Sequence, residues 1–110
     1  MTPGCVVVVH VSLARRLEPG EIQRVADAAV AIYRQSGGFQ AFFETQVSER
    51  QLVNTIFWDS RADAERGIQA AAPTVRPMLG DLVAARPVFY FGEVVYAAPF
   101  AEVQPQPPEG

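Results

Sequence analysis

Imidazole is the side-chain type suited to proton transfer near neutral pH, and this sequence has one, His10. Its imidazole is the natural candidate for a general base. The bland alternative is a hydrogen-bonded histidine at a strand end or a subunit seam. Other candidates are weaker. Glu44 alternates with Phe42 in a strand-like stretch, so both can face a pocket. Tyr90 and Tyr96 can present hydroxyls to a ligand, although aromatic strand residues more often pack. Arg86 offers a charge to an anionic ligand or lies on the surface, and Arg15-Arg16 is too small a basic spot for nucleic acid. The lone Cys5 has no charged neighbour in sequence to make it a nucleophile and no second thiol to pair with. A closed Cys/His zinc site lacks its ligands, so no metal is expected.

Something must hold these side chains. The chain has 110 residues and 49% hydrophobic content, enough for one domain with a core. A net charge of −3 and a pI near 5.0 argue against nonspecific nucleic-acid binding. No apolar run approaches the roughly 20 residues of a membrane span, and no basic residue precedes the first apolar stretch as in a signal peptide. The expectation is a cytoplasmic, membrane-free protein. All nine basic residues are Arg, a composition bias without functional weight.

Val6 to Leu13 (VVVVHVSL) reads as a strand. Turn and helix-start chemistry at Glu18-Pro19-Gly20-Glu21 precedes Ile22, Val25, Ala26, Ala29, Ile32 and Tyr33, whose spacing marks an amphipathic helix ended by Gly37-Gly38. Phe39 to Val47 and Gln51 to Trp58 predict an antiparallel hairpin around Ser48-Glu49-Arg50. Ser60 and Asp63 form a capping-box variant that opens a second helix through about Ala71, which Pro73 should interrupt. Thr74 to Ala84 predicts a further short helical piece, and Arg86 to Tyr96 a fourth strand. Residues 1–97 then make the domain. Residues 98–110, rich in proline, read as a mobile tail.

The order β-α-β-β-α-β is the ferredoxin-like α+β arrangement, with a four-stranded antiparallel sheet covered by helices on one face. The other face should be polar if water meets it. Here both parities are apolar. Val7, Val9, Val11 and Leu13 share one face of the first strand, and Val6 and Val8 join His10 on the other. Covering such residues is worth roughly 1.5–3 kcal/mol each, and the chain has no spare helices. A second copy is the expected cover, giving a homodimer through the sheet face.

From about Val6 to Tyr96 the chain resembles the dimeric α/β-barrel superfamily, and within it the antibiotic biosynthesis monooxygenase (ABM) group. The resemblance rests on element order, on Trp58-Asp59-Ser60 closing the third strand, and on the Ala-rich helix that follows. It implies a homodimer whose two sheets close into a barrel. Some members oxidise polycyclic phenols to quinones with O2 and no metal or flavin, using an Asn and a Trp on the third strand. Asn54 and Trp58 match that pair, and their spacing puts both on one face. Asn54 would stabilise charge on a substrate oxygen and Trp58 would wall the ring, with His10 a candidate base. Asn is also disfavoured inside a strand unless it has a task. Haem-degrading relatives ligate iron through a His on the second helix, and none stands between Arg61 and Ala85.

The sequence therefore predicts a cofactor-free monooxygenase for a planar aromatic or polyketide-like phenol or anthrone. Catalytic roles fall to Asn54, Trp58 and His10, and substrate contacts to Phe42, Glu44, Tyr90 and Arg86. A polyketide cyclase using His10 as base is an alternative that would not need oxygen. A noncatalytic barrel binding a small aromatic ligand is another.

Overall fold

The computed structural model describes residues 2–98. The elements are β1 (Cys5–Ser12), α1 (Pro19–Ser36), β2 (Phe39–Ser48), β3 (Gln51–Trp58), α2 (Arg61–Leu79), a 3-10 turn (Gly80–Leu82) and β4 (Val88–Glu93). The strands form one antiparallel sheet in the order β2-β3-β1-β4. This is the ferredoxin-like arrangement that the element order predicts. No helix among the described residues is long and apolar enough to cross a membrane.

Valine-rich β1 sits at the centre of the sheet, flanked by β3 and β4. Its residues Val7, Val9 and Val11, with Leu13 just beyond, are buried together with Ala29 and Tyr33 of α1 and Ala64 and Ala71 of α2. Helix α1 starts where Glu21 accepts a hydrogen bond from the Glu18 backbone N–H at 3.0 Å. The same carboxylate takes two bonds from the Arg15 guanidinium (3.0 and 2.8 Å), which hold its pKa down to about 2. Gly37 and Gly38, both at positive φ, turn the chain from α1 into β2. Helix α2 starts at Ser60, whose Oγ accepts from the Asp63 N–H at 3.2 Å.

Two boundaries differ from the sequence reading. Pro73 does not interrupt α2, which runs unbroken to Leu79 with Pro73 and Pro77 inside it. Both prolines are exposed, as is Gln69, so the carbonyls left without a partner one turn back can bond water. The apolar spacing Ala64, Ile68, Ala71, Val75 continues across Pro73 onto the core, and that packing outweighs the local penalty. Strand β4 is also shorter than Arg86 to Tyr96, because only Val88 to His10 and onward to Glu93 finds a partner on β1. Of the proline-rich segment 98–110, residues 99–110 lie outside the described residues.

Trp58 is fully buried at the end of β3, edge-on to Tyr33 (5.2 Å) and Phe39 (5.6 Å). Its indole lies against Gly67 of α2, where an added Cβ would overlap the ring. Gly67→Ala gains at most about 1 kcal/mol of helix propensity but overpacks a rigid indole, at about 1–3 kcal/mol. A net loss of stability, read as a lower urea midpoint with unchanged slope, is the expected result.

Candidate functional site

The antiparallel register aligns one residue from each strand on the helix-covered face. Glu44 of β2 pairs with Asn54 of β3, Asn54 with Val9 of β1, and Val9 with Phe89 of β4. This row is part of the lining of a cavity of about 80 Å³ between sheet and helices. Helix α1 contributes Ile22, Val25, Ala26, Ala29 and Tyr33, and α2 contributes Val75 and Leu79. Pro87 and Phe89 line it from the β4 side, and Phe89 is 44% exposed. The volume admits a few waters, so a polycyclic guest must displace wall atoms to enter.

The lining is apolar apart from Glu44, Asn54 and the Tyr33 hydroxyl. Burial alone pushes Tyr33 up to about 12, so it stays neutral. Burial likewise pushes Glu44 up to about 7, with no cation contributing. Asn54 Oδ1 is buried without a hydrogen-bond partner. An orphaned buried acceptor costs about 1–3 kcal/mol. The carboxyl and amide face one space from adjacent strands, about 5 Å apart at Cβ as directly opposed residues are.

The residues singled out from sequence are divided by the sheet. Phe42, Glu44 and Asn54 line the cavity. Trp58 shares the face of Asn54 but lies beyond Ile56 in the solid core, its Nε1 buried and unpartnered. His10 and Tyr90 are on the opposite face, exposed, with their rings edge-on at 6.0 Å. Arg86 is exposed and does not line the cavity. The trio Asn54, Trp58 and His10 thus does not converge, because odd and even positions of β1 point to opposite sides. Tyr33 is the lining polar group that sequence reasoning treated only as a helix-face residue; its signal was a hydroxyl on an otherwise aliphatic stripe. Among the described residues no three His, Cys, Asp or Glu side chains stand close enough together to hold a metal ion.

Two measurements check this electrostatic picture. Glu44 binds its proton more tightly folded than unfolded, so folding stability falls as pH rises from about 4.5 to about 7. Glu44→Gln removes that part of the slope, which urea midpoints across this range read directly. Asn54→Leu replaces an orphaned amide with a similar apolar volume and raises stability by about 1–2 kcal/mol. A lowered midpoint in Asn54→Leu would show the amide to be satisfied.

No family profile and no curated protein matches the chain. Solved structures do. A mutant of SnoaB, a cofactor-independent oxygenase from Streptomyces nogalater, superposes with a TM-score of 0.68 at 15% identity, over 90% of this chain and 100% of that one. A Streptomyces coelicolor monooxygenase in complex with nanaomycin D gives a TM-score of 0.68 at 18% identity, over 90% and 94%. A dimeric ferredoxin-like protein from an uncultured marine organism gives 0.66 at 10% identity, over 91% and 95%. The fold of this chain is that of the ABM structures, the group its sequence resembles.

Proposed function

We propose that this protein is a homodimeric, cytoplasmic oxygenase that converts a planar hydroxylated polycycle, of the anthrone type, to a quinone with O2 and no cofactor. The observation that carries the reading is the Asn54 carboxamide in the lining of a largely apolar cavity, its Oδ1 buried without a partner. The fold shared with cofactor-independent oxygenases supports it. In the net reaction a ring CH2 and O2 give a ring C=O and water: two C–H bonds break, one oxygen enters the ring, and the other leaves as water. The substrate supplies the electrons once it carries negative charge. Asn54 Nδ2–H donates to the substrate oxygen as that charge builds, while apolar walls keep the interaction strong by excluding water. Trp58 acts from behind the wall, holding Tyr33 and Phe39 in place.

The uncovered sheet face supports the dimer. Val6 and Val8 pair there with Phe57 and Thr55 of β3, and Val8 pairs with Tyr90 of β4. Phe43, Val88 and Tyr90 on the same face are each at least 47% exposed in the single chain. That much aromatic and branched surface favours a second copy over water. Residues 1–97 are the catalytic domain in this reading, and 98–110 an appendage. A cyclase using His10 gains no support, since His10 faces away from the cavity.

An oxygen electrode with dihydroxyanthrone tests the chemistry. One O2 is consumed per anthrone, and Asn54→Ala slows uptake about 100-fold, the scale of losing one oxyanion donor. Equal uptake by the two proteins sinks the assignment. Sedimentation tests the assembly: wild type runs as a dimer, and Val8→Asp, which puts a charge at the centre of the seam, runs as a monomer.

A further inference from the structure

An oxidation that starts from a charged substrate needs a group to take a proton, and the one histidine is on the wrong side of the sheet. The cavity contains another candidate. Glu44 is next to Asn54 in register, lines the same cavity, and has no cation or hydrogen-bond partner among the described residues. A half-buried carboxyl with nothing to neutralise it costs stability in an apolar wall, a cost that a hydrogen-bonding ligand would offset.

We propose that Glu44 is the proton acceptor of the cavity and that it selects ligands carrying an acidic hydroxyl, a phenol or enol, beside the oxygen bound by Asn54. The inference rests on the oxygenase reading above and deepens it. In the step, the ligand O–H bond breaks and a new O–H bond forms on a Glu44 carboxylate oxygen. The electron pair stays on the ligand as phenolate or enolate. O2 then takes the ligand's electrons and bonds to the ring carbon, and the Glu44 proton passes to the outer oxygen. Loss of the remaining ring C–H proton with O–O cleavage releases water and leaves the C=O.

The surroundings fit this role. A base works best when its pKa lies near the working pH, and burial moves Glu44 to about 7. Of the side chains lining the cavity from α1, α2, β1, β3 and β4, only Tyr33 can ionise, and it remains protonated. Neither a competing base nor a cation therefore sets the protonation of Glu44. Proximity adds selectivity. A ligand without a donor at this position covers the half-buried Glu44 carboxylate without pairing it, which disfavours that ligand.

The test separates proton transfer from oxidation by leaving out O2. Dihydroxyanthrone is mixed anaerobically with the protein, and the absorbance of its anion is followed against pH. Wild type is expected to ionise the bound ligand above about pH 7, whereas Glu44→Gln binds it and leaves it neutral there. With O2 restored, Glu44→Gln turns over about 100-fold more slowly, and Glu44→Asp recovers part of the rate. If Glu44→Gln ionises the ligand as well as wild type does, the proposal is overturned while the oxygenase reading stands. If wild type ionises the ligand but takes up no O2, the oxygenase reading fails and the base assignment survives. Should Glu44→Gln not fold, the Glu44 carboxyl in carbon-13-labelled wild type decides. Titration near 7 that is lost when ligand binds supports the proposal, and an ordinary carboxylate pKa overturns it.

Discussion

The central strand carries apolar side chains on both of its faces, and the rest of the molecule answers that constraint. On one side Val7, Val9, Val11 and Leu13 are 4% exposed or less, covered by the two helices. On the other side Val6 and Val8 are only half-buried in the single chain. The helix-covered side has enough branched volume to hold the sheet together and still leave a gap over Glu44 and Asn54.

The strand register makes the candidate site an ordered object rather than an accident of packing. Glu44, Asn54, Val9 and Phe89 lie across four strands in a single row. With strands roughly 4.8 Å apart, the row runs about 14 Å from a polar end to an aromatic end. A flat, rigid ring system with oxygens at one edge has the same polarity. The row one step towards Trp58 lacks it: Phe42, Ile56, Val7 and Phe91 are all apolar. The orphaned Asn54 oxygen marks its own row as a place where stability has been given up.

Much of this was legible in the residues. The two-faced pattern of β1, the periodic α1 and the hairpin all follow from spacing, and Asn54 stood out as a polar residue in an apolar strand. What the residues did not reveal has physical reasons. Local chemistry stops a helix at Pro73, yet packing of Val75 on the core continues it. A period of two groups Asn54 with Trp58 but cannot say that Ile56 fills the space between them while Trp58 packs against Gly67. Parity places Glu44 beside Phe42 at a pocket, but only the pairing of β2 with β3 sets it opposite Asn54.

The size of the cavity carries the last step. At about 80 Å³ it is large for a packing defect and small for a polycycle. Rigid closure on all sides would make the polar row useless. The walls differ in how firmly they are held. Around Trp58 the rings of Tyr33 and Phe39 pack edge to face, and Gly67 leaves no slack. At the opposite end Phe89 belongs to a six-residue edge strand paired only with β1, and nearly half its surface is in water. An apolar guest entering there replaces water against Phe89 and slides along small residues of α1, Ala26 and Ala29, towards the carboxyl and amide. Glu44, at the other end of the row, belongs to β2, which is also an edge strand. The firm part of the wall is therefore the Trp58 cluster, and entry beside Phe89 leaves it undisturbed.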